Sequence, residues 1–429
     1  MIMRYRYFFT ALLSLVSYHF LQAQSSSDGL YVNGKNLFDY CGDTIILRGI
    51  NYPVLDDWEF PQTSEVSGQI AQTGANTVRI SWYMNYGQAS RPAYGLKDLD
   101  TVLTRITRLK MIPVLELHDL TCQTGYEELN TVILPWYTQP SVLALLQKHK
   151  RNLILNLVNE YGFVRWASNP ALARTSYSLT YQALVQGLRS AGLHIPLMID
   201  APDCGTSLSV LVSEGAALQQ SDPDHNLIFS VHTYWYGYTG NDSIAMRTEL
   251  QTALNAQIPL VLGEVATQQD DQTNCQYNLN YKAILRMAQE MKLGWLIWAW
   301  YKDNCPARKM STNGSFASLT PFGNEIVHDA VFGLQPHAVR SEYLLQNGVC
   351  ATGTEPSFVK QPVILYPNPA KNQVTVLSGD QPGSIISIHS MDGRKLKEQT
   401  ESQILNLDGI APGLYRISVG GRSVMLVKE

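Results

Sequence analysis

Eight short apolar runs recur along the chain, and stretches with helical periodicity separate several of them. The runs are "TIILRGINYP" from Thr44, "NTVRISW" from Asn76, "MIPVLELHD" from Met111 and "LILNLVNE" from Leu153. They continue with "IPLMIDAPD" from Ile195, "LIFSVHTYW" from Leu227, "IPLVLGEVA" from Ile258 and "GWLIWAWY" from Gly294. Most are apolar on successive residues rather than on alternate ones, which marks strands covered on both faces. Segments such as "DLDTVLTRITRLK", "TSYSLTYQALVQGLRSAG" and "NLNYKAILRMAQEMK" carry the amphipathic pattern of helices. Alternating strands and helices of this kind build a parallel sheet with helices on its faces. Eight units between residues 29 and 334 fit a closed α/β (β/α)8 barrel, the TIM barrel. The alternative, an open doubly wound sheet, often carries a Gly-rich phosphate loop after its first strand, and none follows Thr44–Pro53.

The 429 residues exceed one average domain, and the texture changes after Leu334. Residues 335–360 read as a polar connector containing Gly and Pro. Residues 361–429 hold short alternating runs ("NQVTVLS", "SIISIHS", "GLYRISVGG", "SVMLVK") between turn signals, the pattern of a small β-sandwich. The first residues differ again. Arg4 and Arg6 precede a mostly apolar stretch from Phe8 to Phe20, and Ala23 offers a small residue for cleavage, so 1–23 is expected to be a signal peptide. The apolar stretch is too short for a comfortable membrane anchor, and no integral membrane segment is expected after cleavage. A net charge of −4 without blocks of like charge argues against nucleic acid or an anionic membrane as the main partner.

Six cysteines in an exported chain can form disulfides, with 15 possible pairings. None lies in a CxxC pair, so no zinc is expected. Cys275–Cys305 is the first choice of bridge, because each of the two follows a late strand.

A barrel of this type places its site at the C-terminal ends of the strands. The predicted ends carry Arg79 on strand two, His118 and Asp119 on strand three, and Asn159 and Glu160 on strand four. Asp200 ends strand five, His232 and Tyr234 strand six, Glu264 strand seven, and Trp298 and Trp300 strand eight. Singly, each has a structural role open to it: an ion pair for Arg79, core packing for His118, Tyr234 and the tryptophans. Together they form a ring of polar and aromatic groups at one rim, which is costly to bury without a use. Glutamates on strands four and seven suit retaining glycoside hydrolysis, in which one carboxyl is acid/base and the other nucleophile at a separation of about 5.5 Å. Asn159 is placed to bond a sugar hydroxyl, and a strand-eight tryptophan to stack on a sugar ring. No metal or cofactor is expected.

With these residues in view, the chain resembles glycoside hydrolase family 5, the retaining cellulase and β-mannanase family, from Ile45 to about Gly333. The resemblance rests on Arg79, His118, Asn159 with Glu160, His232 with Tyr234, Glu264, and Trp298 or Trp300 in order. It implies that Glu160 is the acid/base and Glu264 the nucleophile, with the remaining residues around the substrate. It also implies an enzyme acting on β-linked polysaccharide, endo-acting on mannan, glucomannan or β-1,4-glucan. A non-catalytic carbohydrate-binding protein and an exo-acting glycosidase or transglycosylase are the alternatives. "TGANTVRI", "VLELHDLT", "FSVHTYW" and "GWLIWAW" are most similar to the bacterial β-mannanase branch. Tyr161 stands where that branch has Trp, Val265-Ala266 where it has Phe-Gly, and Cys122 where it has Gly. The tail, with "YPNPAKNQVTV", "MDGRKLKE" and "LDGIAPGLYRISV", resembles the C-terminal sorting domain of type IX secretion. That implies export across the outer membrane of a Gram-negative bacterium by that machinery.

Overall fold

The structure, a computed structural model, describes residues 29–54, 66–84, 95–269, 274–350, 364–377, 385–391, 394–400, 404–419 and 422–429. The expected signal peptide lies outside them.

The eight predicted strands form one closed, all-parallel barrel. They are β1 (Arg48–Tyr52), β2 (Thr77–Trp82), β3 (Ile112–Leu117), β4 (Ile154–Asn156), β5 (Leu197–Asp200), β6 (Leu227–His232), β7 (Leu260–Val265) and β8 (Gly294–Ile297). Each pairs with its successor and β8 closes on β1. Every residue of these strands is buried, as strands covered on both faces require. Gly49 is needed where β1 meets β2, because a Cβ there would stand 2.2 Å from the Thr77 carbonyl oxygen. The helices cover the outside in the expected way. Leu99, Val102, Leu103 and Ile106 of the helix Leu96–Arg108 line its buried stripe, one turn apart. The long helix Pro170–Ser190 starts on an Asn169 cap that accepts from the Leu172 amide at 3.2 Å.

The floor of the barrel was not legible in advance. A small antiparallel sheet of Tyr31–Asn33, Asn36–Phe38 and Thr44–Ile45 precedes β1. Its Val32, Leu37 and Ile45 cluster with the lower-layer residues Val114, Ile154, Met198, Ile228, Val261 and Leu296. The run from Thr44, read as one strand, is therefore two, bent between Ile45 and Arg48. The stretch expected as a connector from 335 begins with regular structure. Helical turns at Leu334–His337 and Glu342–Leu345 pack against the barrel, with Leu334, Tyr343 and Leu344 buried. Two apolar anchors inside a polar stretch suffice for this, and Leu344 joins the cluster beneath the barrel.

Three disulfides connect Cys41–Cys350, Cys122–Cys204 and the expected Cys275–Cys305. In the tail, strands 364–366, 373–377 and 404–406 form one antiparallel sheet, and 385–390, 395–400, 413–419 and 422–428 another. Val374, Val376, Ile386, Ile388, Leu405, Ile417 and Leu426 make their common core.

Candidate active site

Arg79 organises the C-terminal mouth of the barrel. It points inward from β2, has no solvent exposure, and reaches side chains from five other strand regions. Nε donates to Asn156 Oδ1 at 2.8 Å, and Nη1 to Asn51 Oδ1 and Glu264 Oε1, both at 3.0 Å. Nη2 donates to Asn159 Oδ1 at 2.7 Å and Asp200 Oδ2 at 3.3 Å, while Glu116 Oε2 lies 3.6 Å from Nη1. A planar guanidinium can bond in this many directions at once and a lysine cannot.

The two glutamates meet within this frame. Glu264, on β7, receives Arg79 on Oε1 and the Tyr234 hydroxyl on Oε2 at 2.7 Å. Glu160 lies past the last ladder residue of β4, where the chain curls out of the sheet. Its φ is 49°, and its amide donates to Asp200 Oδ2 at 3.2 Å instead of to a neighbouring strand. Its Oε1 meets His232 Nδ1 at 2.6 Å. One contact atom each from Glu160, His232 and Glu264 all lie within 4.8 Å of one another. Such spacing also suits metal ligands, but both oxygens of Glu264 are already taken by Arg79 and Tyr234.

Asn159 is fixed from both ends, accepting from Arg79 and donating to Thr121 Oγ1 at 3.0 Å. His118 forms one side of the rim. Its Nδ1 lies 2.8 Å from Glu116 Oε1, and its ring stacks on Trp298 with centroids 5.8 Å apart. Arg308 sits over both Tyr234 (5.3 Å) and Trp298 (5.9 Å). Trp300 departs from the expectation of a substrate-binding role. It is completely buried, belongs to the main core, and donates to the Gly314 carbonyl at 3.1 Å. Residues two apart on a strand share a face, but the pair Trp298 and Trp300 lies just beyond β8, where that rule no longer holds.

Burial disfavours charge throughout the site, and the network decides which groups keep it. Burial pushes the Glu264 carboxyl above the usual range, with the Glu160 charge adding to the effect and His232, Arg79 and Tyr234 opposing it. Burial acts on Glu160 too, but the hydrogen bond and charge of His232 outweigh it and hold that carboxyl low. His232 is the counterpart: against its own burial, Glu264, Asp200 and Glu160 push it up to about 9. A histidine raised in the folded state stabilises the fold fully below its unfolded value near 6.5, and that contribution is lost as pH rises through about 9. The shift corresponds to about 3 kcal/mol. The stability gap between the native protein and His232→Asn is therefore expected to narrow between about pH 6 and about pH 9.5 in urea titrations. A gap independent of pH would remove the charged-histidine reading.

Several members of the site escaped the strand-end search: Asn51, Glu116, Asn156 and the bridge Cys122–Cys204. The first three did leave a signal. Each is a buried polar residue on an otherwise largely apolar strand, below the tips, and each lies against the Arg79 guanidinium.

Closed parallel barrels that hold two buried carboxylates this close, on opposite strands of the mouth, are built for retaining hydrolysis of glycosidic bonds. The comparisons with known proteins agree. The family model for cellulase (glycosyl hydrolase family 5) matches residues 38–304, so the chain belongs to glycoside hydrolase family 5. The model of the secretion system C-terminal sorting domain matches residues 364–429. A mannan endo-1,4-beta-mannosidase of Salipaludibacillus agaradhaerens is 29% identical over 307 residues, covering 70% of this chain and 92% of the relative. Another, of Cellvibrio japonicus, is 30% identical over 318 residues, covering 72% of this chain and 68% of the relative. The crystal structure of a beta-mannanase from Streptomyces thermolilacinus superposes with a TM-score of 0.62 at 25% identity, covering 74% of this chain and 99% of that one. The protein is thus an exported retaining glycoside hydrolase that cleaves β-linked polysaccharide. No helix among the described residues is long and apolar enough to cross a membrane.

Proposed function

We propose that the substrate is a β-1,4-mannan cut at internal bonds, with Glu264 as nucleophile and Glu160 as acid/base. The observation that carries the chemistry is the meeting of Glu160, His232 and Glu264 within 4.8 Å. In the first step Glu264 attacks the anomeric carbon while Glu160 gives a proton to the departing oxygen, leaving a glycosyl ester on Glu264. In the second, Glu160 takes a proton from water, which attacks the same carbon and frees Glu264. Arg79 and Tyr234 keep Glu264 ionised and aimed. Glu160 draws its acidic proton from His232, because transfer from Nδ1 to Oε1 across 2.6 Å converts the resting ion pair into a neutral acid and a neutral imidazole. Trp298, stacked on His118, offers a ring face beside the reacting sugar.

Mannan is favoured because both relatives above are mannan endo-1,4-beta-mannosidases, and because three of this chain's departures from that branch lie behind the site. Tyr161 is fully buried and bonded to Glu128. Val265 and Ala266 are buried behind Glu264. We place the end of the catalytic domain at Cys350 rather than 334, and the type IX secretion machinery as the reader of the tail. A panel of mannan, glucomannan, carboxymethylcellulose, β-glucan and xylan tests the substrate. Mid-length fragments are expected from mannan first, with the β-anomer as the initial product. Release of single sugars, or activity on β-glucan with none on mannan, would reject the assignment.

A further inference from the structure

The bridge Cys122–Cys204 occupies an unusual place. Cys122 lies in the loop after β3 and Cys204 in the loop after β5, so the disulfide spans the tip of the strand between them, where Glu160 projects. Cys122 Sγ stands 3.2 Å from Glu160 Oε2, and the Cys122 amide donates to the Glu160 carbonyl at 3.3 Å. The two sulfurs and the carboxylate lie within 4.8 Å of one another. Beyond Cys204 the fit is equally close: a Cβ on Gly205 would stand 2.7 Å from His232 Nδ1 and 3.0 Å from Glu160 Oε1. Cys122, Glu160 and Cys204 all adopt left-handed backbone, with φ of 55°, 49° and 53°. That conformation is disfavoured for residues with side chains, and persists where the surroundings over-determine it.

We propose that the Cys122–Cys204 disulfide is a positioning group for the acid/base: it clamps the two flanking loops over Glu160 and covers Oε2 with a sulfur that has no hydrogen to donate. The inference rests on the assignment of Glu160 as acid/base. A thiol or water in the same place would donate to Oε2 and favour the carboxylate, whereas a disulfide sulfur leaves that oxygen without a donor and favours the protonated acid. The other groups around Glu160 are His232 from β6, His118 beyond β3 and Arg79 from β2, which favour its charge, Glu264 from β7, which opposes it, Tyr234, and Asp200 from β5, which accepts from its amide. The bridge weights this balance towards the form that protonates a leaving group.

The test compares the native enzyme with the double variant Cys122→Ala/Cys204→Ala on 2,4-dinitrophenyl and phenyl β-mannobiosides, with the matching β-cellobiosides in parallel. Departure of dinitrophenolate needs no acid, whereas departure of phenol does. The variant is expected to lose at least about tenfold more kcat/KM on the phenyl than on the dinitrophenyl glycoside. The basic limb of its pH profile is expected to move down by about one unit, as water gains access to Oε2. Equal losses on both leaving groups with an unmoved limb would overturn the proposal and leave the bridge a purely structural staple. Glu160→Ala measured alongside separates the two claims: if it shows no dependence on the leaving group, the acid/base assignment itself fails. Should the double variant not fold, reduction of the folded native enzyme, with opening of this bridge verified by mass, gives the same readout. An unchanged ratio between the two leaving groups then rejects the proposal.

Discussion

Glu264→Ala is expected to lower hydrolysis on the order of 10⁵-fold, the scale seen when a covalent nucleophile is removed. Thermal stability should hardly fall, because the deletion also relieves a buried acid whose carboxyl burial pushes upward. The diagnostic measurement is rescue by azide. With Glu264 gone, azide can enter from the face the carboxylate occupied, and from a β-glycoside with a good leaving group it should give the α-glycosyl azide. In Glu160→Ala the ester on Glu264 still forms and azide replaces water, so the product should be the β-glycosyl azide. Opposite anomers from the two variants fix both roles in one experiment. The reverse pattern exchanges them, and turnover of β-linked glycan in both variants sinks the mechanism.

Arg79→Ala is expected to be as damaging to the fold as Glu264→Ala is to turnover. The guanidinium lies 3.6, 3.3 and 3.0 Å from carboxylate oxygens of Glu116, Asp200 and Glu264, all completely or almost completely buried. Their charges hold Arg79 firmly protonated against its own burial. Removing one partner from a buried ionic network costs about 3–5 kcal/mol, because the charges left behind have no compensation. Arg79→Lys should recover only part of this, since an ammonium cannot reach Asn51, Asn156, Asn159 and two carboxylates at once. The deficit should shrink as pH falls and the stranded acids take up protons, so denaturant midpoints at about pH 7 and about pH 4 give the sign as well as the size. A deficit below about 1 kcal/mol at neutral pH would mean that water reaches the network and the barrel mouth is wetter than its burial indicates.

The barrel was readable because eight apolar runs carry the fold, and each run contains one barrel strand. The ring of strand-end residues was readable for the same reason: once the strands are counted, the tips follow. Trp300 shows where that logic stops. Past the end of β8 the chain turns, and the two indoles donate to Asp303 and Gly314, residues outside any strand. Glu160 itself stands beyond the last paired residue of β4, in a curl stabilised by Asp200 and the loops on either side. No periodicity announces such a curl, and no spacing rule joins Cys122 to Cys204 across 82 residues. The floor was hidden for a simpler reason, since strands of two or three residues are too short to show a period.

The Cys41–Cys350 bridge sets how the chain carries load. It closes a loop spanning 309 residues of sequence, with the whole barrel inside it and the tail attached just outside. A pull on the tail reaches Cys350 and passes through the disulfide to Cys41 and the floor sheet, bypassing the helices and strands in between. The barrel then cannot be unzipped from its C-terminal end, as an unlinked chain can. Cleavage at any point after Cys350 would leave the same closed loop intact.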